Sequence, residues 1–289
     1  MDRTTDGWIS GAIGVLIFSG SLPATRVAVS GFDPVFLTGA RAAIAGLLGL
    51  LLLLVFGEKR PALPDILSLG AVALGVVVGF PLLTALALQQ MTSAHSIVFI
   101  GLLPLATAAF GVLRGGERPR PAFWLCALAG SALVAGFAWI KGGGAISRGD
   151  LLMLLAILVC GFGYAEGGRL SRRLGGWQVI SWALVLSLPV MLVLSVLTAP
   201  PGVGAVPLGA WFGLGYVALF SMLIGFVFWY RGLALGGIAA VGQLQLLQPL
   251  LGLGLAAAVL GETVDAGMLG VTVAVVACVA GARSFAQRP

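Results

Sequence analysis

Apolar residues run along this chain in blocks of about 20, the length that crosses a bilayer as helix, separated by short stretches of Gly, Pro and charge. Read in order, the blocks predict ten segments, near 8–29, 33–56, 66–88, 93–113, 120–140, 150–170, 177–198, 208–232, 238–260 and 266–285. Alternation with period two, the mark of a barrel strand, is absent. In lipid the backbone must satisfy its own hydrogen bonds, which for these runs means helix. The predicted fold is an all-α integral membrane protein of ten transmembrane helices, with no room for a soluble domain. The first block contains Pro23 and Arg26 and no clear small-residue cleavage site follows it. It reads as a first span and not as a removed leader.

Composition strengthens this reading. The chain is 60% hydrophobic and 9% charged, whereas a soluble domain carries about 25% charged residues. Cys126, Cys160 and Cys278 all fall inside predicted spans and read as small buried hydrophobes. The net charge of +6 gains meaning from its distribution. With the N-terminus in the cytoplasm, twelve of the sixteen basic residues fall on inner loops or ends, three (Arg26, Lys141, Arg148) fall outside, and Arg41 lies within a span. This positive-inside bias places both termini in the cytoplasm. It also removes nucleic acid as a partner, because the basic excess is a topology signal.

The chain writes one phrase twice. LLPLATAAFGVLRGGERP begins at Leu102 and LQPLLGLGLAAAVLGETV at Leu247. Pro104 and Pro249 differ by 249 − 104 = 145, and Gly116/Gly261 and Glu117/Glu262 keep that offset. The units are 1–143 and 144–289, each of five spans. Five is odd, so the second copy enters from the opposite side. Glu117 accordingly sits among Arg114, Arg118 and Arg120, whereas no basic residue flanks Glu262. Inverted repeats of this kind suit alternating access at a midplane site.

Ten spans in two five-helix copies, each with a proline and then "GE" in its fourth span, resemble the EamA family of the drug/metabolite transporter superfamily. The likeness rests on ALQQMTSAHSIVFIGLLPLATAAFGVLRGGERP from Ala87 and GLALGGIAAVGQLQLLQPLLGLGLAAAVLGETV from Gly232. It covers nearly the whole chain and extends to an amino-acid exporter within the family. The resemblance implies inner-membrane export of small metabolites, often amino acids, through a central cavity, with no cofactor.

Polar groups within spans are the leading site candidates, because burying them is costly. Gln243, Gln245 and Gln248 have apolar counterparts at the 145 offset, Val98, Ile100 and Leu103. That asymmetry suits substrate contact; hydrogen bonding between helices is the alternative. His95, with Phe99 one turn on, is a substrate or proton contact or a plain hydrogen-bonding group; it has no partner at metal-ligand spacing. Arg41 lies eight residues into its span, roughly 12 Å along the axis. It could clamp a carboxylate or snorkel. Glu166 is the one acid placed within a span. It is a coupling candidate or the partner of Arg169 three residues on. Tyr164, Trp182, Trp229 and Tyr230 suit a mixed apolar and hydrogen-bonding lining or an interfacial belt. Pro104 and Pro249 are kinks, with hinge motion as the functional reading. Gly75/Gly79 and Gly232/Gly236 put small residues on one helix face for close packing.

These features predict a carrier for a small amphipathic metabolite, working by alternating access without an intramembrane carboxylate. The partners are that substrate and the bilayer; the sequence sets no oligomeric state. The alternative is a proton-coupled exporter of lipophilic cations, which wants an acid in the membrane. An enzyme needs clustered His, Asp, Glu, Cys or Ser at membrane depth, which the chain lacks.

Overall fold

The computed structural model describes residues 3–115, 120–141, 146–200, 202, 204 and 206–285. Gly116, Glu117, Arg118 and Pro119 of the first repeated phrase and the side chain of Gln243 lie outside the described residues. Every described element is helical. We label α1 Thr5–Ala28, α2 Pro34–Val55, α3 Leu63–Leu88, α4 Ser93–Arg114, α6 Arg148–Leu174, α7 Gly176–Leu197 and α8 Leu208–Gly236. Between and after them run α5 Pro121–Lys141, α9 over 238–260 and α10 Ala266–Phe285. Among the described residues, the seven helices named first are long and apolar enough to cross a membrane, and α9 and α10 contain the shorter apolar stretches Leu244–Leu260 and Ala266–Cys278.

The helices pack in pairs across the middle of the chain. α2 lies on α7, α1 on the C-terminal part of α8, α3 on α6, and α5 on α10. Glycine permits the closest crossings. A Cβ on Gly75 of α3 would stand 2.7 Å from the Val159 carbonyl oxygen of α6, and one on Gly232 of α8 would stand 2.7 Å from the Gly11 nitrogen of α1. Large apolar side chains such as Leu54, Leu67 and Val196 point outward, as lipid requires and water forbids. Trp229, Tyr230, Phe99 and Ile180 fill the interior.

α1 is interrupted at Gly20, between Ser19 and Ser21, and four further helices are irregular. α4 stops at Ile100 and resumes at Leu103, just before Pro104. α9 passes through a 3-10 turn, Gln243–Leu246, just before Pro249. A proline clashes with the carbonyl four residues back, so each helix is interrupted where its proline acts. α3 and α8 each contain a π-helical stretch, Ala73–Gly79 and Val217–Ile224. The hydropathy pattern carries no sign of either stretch. Such wide turns redirect side chains and recur at functional sites.

Candidate functional site

A small cavity of about 20 Å³ lies inside the bundle, walled by Phe18, Ser21, Leu22, Arg41, Val76, Phe80, Pro81, Tyr164, Ser221, Phe226 and Gln248. That is room for about one water. The π-helical stretches supply Val76 and Ser221, and Pro81 and Phe226 follow just after them. Arg41, in the first half of α2, is 4% exposed. Its Nη2 donates to Ser221 Oγ at 3.2 Å, and its Nε has no partner. The Ser21 and Ser221 hydroxyls bond at 2.8 Å. Gln248 Nε2 donates to the Phe18 carbonyl at 3.4 Å while its Oε1 stays unpaired. These hydrogen bonds all join the N-terminal half of the chain to the C-terminal half.

Four of the other wall residues, Phe18, Phe80, Tyr164 and Phe226, are aromatic. Phe18 lies edge-on to Phe226 with centroids 5.0 Å apart, and Tyr164 stands 6.4 Å from Phe18 and 5.8 Å from Phe226. The cavity therefore offers one guanidinium, a hydroxyl pair and an amide oxygen against a ring-lined side. It suits a small amphipathic solute with a negatively charged group. It is too small to hold one as built, so binding requires the walls to part.

Of the residues the sequence nominated, Arg41, Gln248 and Tyr164 meet here. Arg41 does not snorkel. Gln245 is fully buried with both amide atoms unpaired and lies off the cavity. It shares a helix face with Gln248 but sits a turn earlier, about 5 Å along the axis, beyond so small a space. Trp229 and Tyr230 are fully buried behind the wall. Trp229 packs on Tyr164 at 5.5 Å, and the Tyr230 hydroxyl donates to the Gly163 carbonyl at 3.2 Å. Trp182 is half-buried against the core and also lies off the cavity.

The remaining nominees sit at the ends of the bundle. His95 Nε2 lies 2.9 Å from Asp150 Oδ1, and its ring stacks on Phe99. Beside it Glu262 takes hydrogen bonds from Ser93 N, Ser93 Oγ and Ala94 N, at 3.1, 2.8 and 2.8 Å. At the other, arginine-rich end, Glu166 is fully buried between Arg169 (2.5 Å) and Arg114 (3.1 Å). Arg173 pairs with Asp65 there, and Gln178 bonds Glu58 at 2.9 Å. Glu166 thus pairs with Arg169 as its spacing predicts and with a second arginine as well.

Sequence reasoning missed Phe18, Ser21, Leu22, Val76, Phe80, Pro81, Ser221 and Phe226. One signal was available: Val76/Ser221 and Pro81/Phe226 both stand 145 apart, as 221 − 76 shows, and all four line the cavity. A larger recess of about 610 Å³ between α5 and α10 is walled by Ala129, Ala132, Leu133, Gly136, Phe137, Ile140, Gly267 and Val271. It has no polar side chain with which to recognise a solute.

A family model described as the EamA-like transporter family matches residues 6–140 and again 147–283. The chain is 68% identical over 287 residues to YdeK of Bacillus subtilis (strain 168), named an uncharacterized transporter, covering 99% of this chain and 100% of YdeK. It is 28% identical over 207 residues to YedA of Escherichia coli (strain K12), named an uncharacterized inner membrane transporter, covering 69% and 65% of the two chains. A solved crystal structure with 20% identity shares the fold, with a TM-score of 0.69 over 98% of each chain.

Proposed function

The chain belongs to the EamA-like transporter family, and from that premise we propose that it exports small amphipathic metabolites bearing a carboxylate, amino acids and their close relatives, by alternating access. It is a multi-pass membrane transporter and not an enzyme. The observation that carries the proposal is the Arg41–Ser221–Ser21–Gln248 cluster, buried at the middle of the bundle and assembled from both halves of the chain.

In this reading ten spans form two inverted five-helix units, 1–143 and 144–289, with both termini in the cytoplasm and the arginine-rich end facing inward. Several observations support it. The family model matches twice. α1 on α8 and α3 on α6 exchange places under such symmetry, while α2 on α7 and α5 on α10 map onto themselves. Both fourth spans break before the repeated proline, and both third spans wind into a π-helix. Pro104 and Pro249 then act as hinges. The polar contacts at each end of the bundle join the two halves, as closures that open in turn must do.

A lipophilic-cation exporter is the weaker reading. The cavity's charge is a guanidinium, which repels cations. Glu166 is held by two arginines at the end of the bundle, away from the cavity. Counterflow in proteoliposomes across the amino acids, with Arg41→Met beside wild type, tests the proposal. Exchange that Arg41→Met abolishes supports it; wild-type exchange surviving in that variant removes Arg41 from the site. Single cysteines at 117 and 262, labelled by an impermeant maleimide, test the topology. Labelling of both from one side refutes the inversion.

A further inference from the structure

Building on that reading of the central cavity, we propose that the cargo crosses as a net monoanion and that its export is electrogenic, driven outward by an inside-negative membrane potential. The argument begins with unbalanced charge. Among the described residues lining the cavity, Arg41 alone is charged. Arginine stays protonated in proteins. The ion pairs formed by His95, Arg114, Arg169 and Arg173 lie elsewhere. An uncompensated cation at membrane depth is costly. A ligand with one negative charge cancels that cost, whereas a zwitterion leaves the loaded site with its full positive charge.

The hydrogen-bond inventory points the same way. Arg41 Nε–H has no acceptor. The Ser21 and Ser221 hydroxyls bond each other, and whichever donates, one hydroxyl hydrogen of the pair is left over. Ser221 also accepts from Arg41. The charged pole is therefore a set of spare donors, the complement of a carboxylate. The unpaired Gln248 Oε1 is a neutral acceptor. It matches a hydroxyl or amide N–H, with no carboxylate nearby to favour an ammonium. The rings of Phe18, Phe80, Tyr164 and Phe226 take the apolar body. The cargo class is thus a small monocarboxylate with one neutral donor and an apolar group, such as a hydroxy acid or an N-acylated amino acid. Free neutral amino acids bind more weakly.

Three probes share one body and differ in charge: 3-phenyllactate (monoanion), phenylalanine (zwitterion) and phenylalaninamide (cation). Purified protein in proteoliposomes loaded with each is given a potassium diffusion potential with valinomycin. At about 100 mV inside negative, phenyllactate should leave until its outside-to-inside ratio approaches about 50. Phenylalanine efflux should be slower and insensitive to potential, and the amide should not move. Arg41→Met should abolish phenyllactate flux, and Arg41→Lys should keep part of it, which separates lost charge from lost packing. If phenylalanine moves as fast as phenyllactate and neither responds to potential, the net-anion inference falls while the carrier reading stands. If no probe moves and none shifts the thermal stability of the detergent-solubilised protein, both fall.

Discussion

Removing the Glu262 carboxylate should loosen the bundle at the end opposite the arginines. Glu262 follows Gly261, which ends α9 in a left-handed turn at φ 63°. The carboxylate then reaches a different helix and caps the first turn of α4. It takes the Ser93 and Ala94 amides and the Ser93 hydroxyl, all within 3.1 Å. Those amides are among the orphan donors of a helix start. A helix cap is worth about 0.5–2 kcal/mol, and negative charge at a helix N-terminus adds roughly 0.3–1 kcal/mol. Glu262 is half-buried, so water recovers part of what is lost. Glu262→Ala should therefore cost about 2 kcal/mol, while Glu262→Gln, which keeps an acceptor and loses the charge, should cost about 1 kcal/mol. The assay is thermal unfolding in detergent, read by a thiol-reactive dye at the buried Cys160 after Cys126 and Cys278 are replaced by alanine. Thr263→Ala, an exposed neighbour, is the control and should stay within about 0.5 kcal/mol. Wild-type unfolding temperatures in both Glu262 variants, or an equal drop in the control, would show that the α9–α4 cap does not hold the structure.

Other expectations follow from the same contacts. Gly232→Ala places a methyl 2.7 Å from the Gly11 nitrogen and 3.0 Å from the Gly7 carbonyl oxygen, backbone that cannot step aside. It should cost about 1–3 kcal/mol, whereas Gly254→Ala, with nothing within 4 Å, should be neutral or gain up to about 1 kcal/mol; parallel melts decide. Glu166→Gln strips the charge between Arg114 and Arg169, both part-exposed, and should cost about 1–3 kcal/mol after solvent screening while leaving the affinity for cargo unchanged in counterflow. Gln245→Leu removes two unpaired buried polar atoms and should leave stability equal or higher, with transport retained; abolished transport would return Gln245 to the site.

The class of fold was legible because a bilayer imposes it. Long apolar runs without alternation leave the backbone no state but helix. The breaks at Pro104 and Pro249 were legible because their consequence is local: each proline interrupts its helix where the ring would meet the carbonyl four residues back. The π-helical turns were not legible. They add a residue to a turn without changing which residues are apolar, so hydropathy is blind to them, and they set the direction of Ser221 and Val76. Polarity alone also over-nominated. It picked His95 and Glu166 along with Arg41, but their partners Asp150, Arg114 and Arg169 come from other turns and helices, and tertiary pairing decides which polar group is left free.

The cavity raises a question of symmetry that its charge answers. Under the proposed repeat, two of the devices that let a helix bend come in pairs, the π-turns of α3 and α8 and the proline breaks of α4 and α9, whereas the break of α1 at Gly20 and the prolines Pro81 and Pro189 have no matching partner. The groups that meet cargo do not come in pairs. Ser221 answers to Val76, Phe226 to Pro81, and Gln248 to Leu103. A strictly symmetric site would hold two guanidiniums. Two like charges about 4 Å apart repel by roughly 4 kcal/mol at an effective dielectric constant of 20, and a cavity of about 20 Å³ has no room to separate them. With the proposed monoanionic cargo, the second cation would also lack a partner when loaded. Backbone features can be duplicated at no electrostatic cost, because bending carries no net charge. A family built by duplication can therefore keep its hinges in matched pairs only if it lets the side chains at the axis diverge, and Arg41 facing Ser221 is what such divergence leaves.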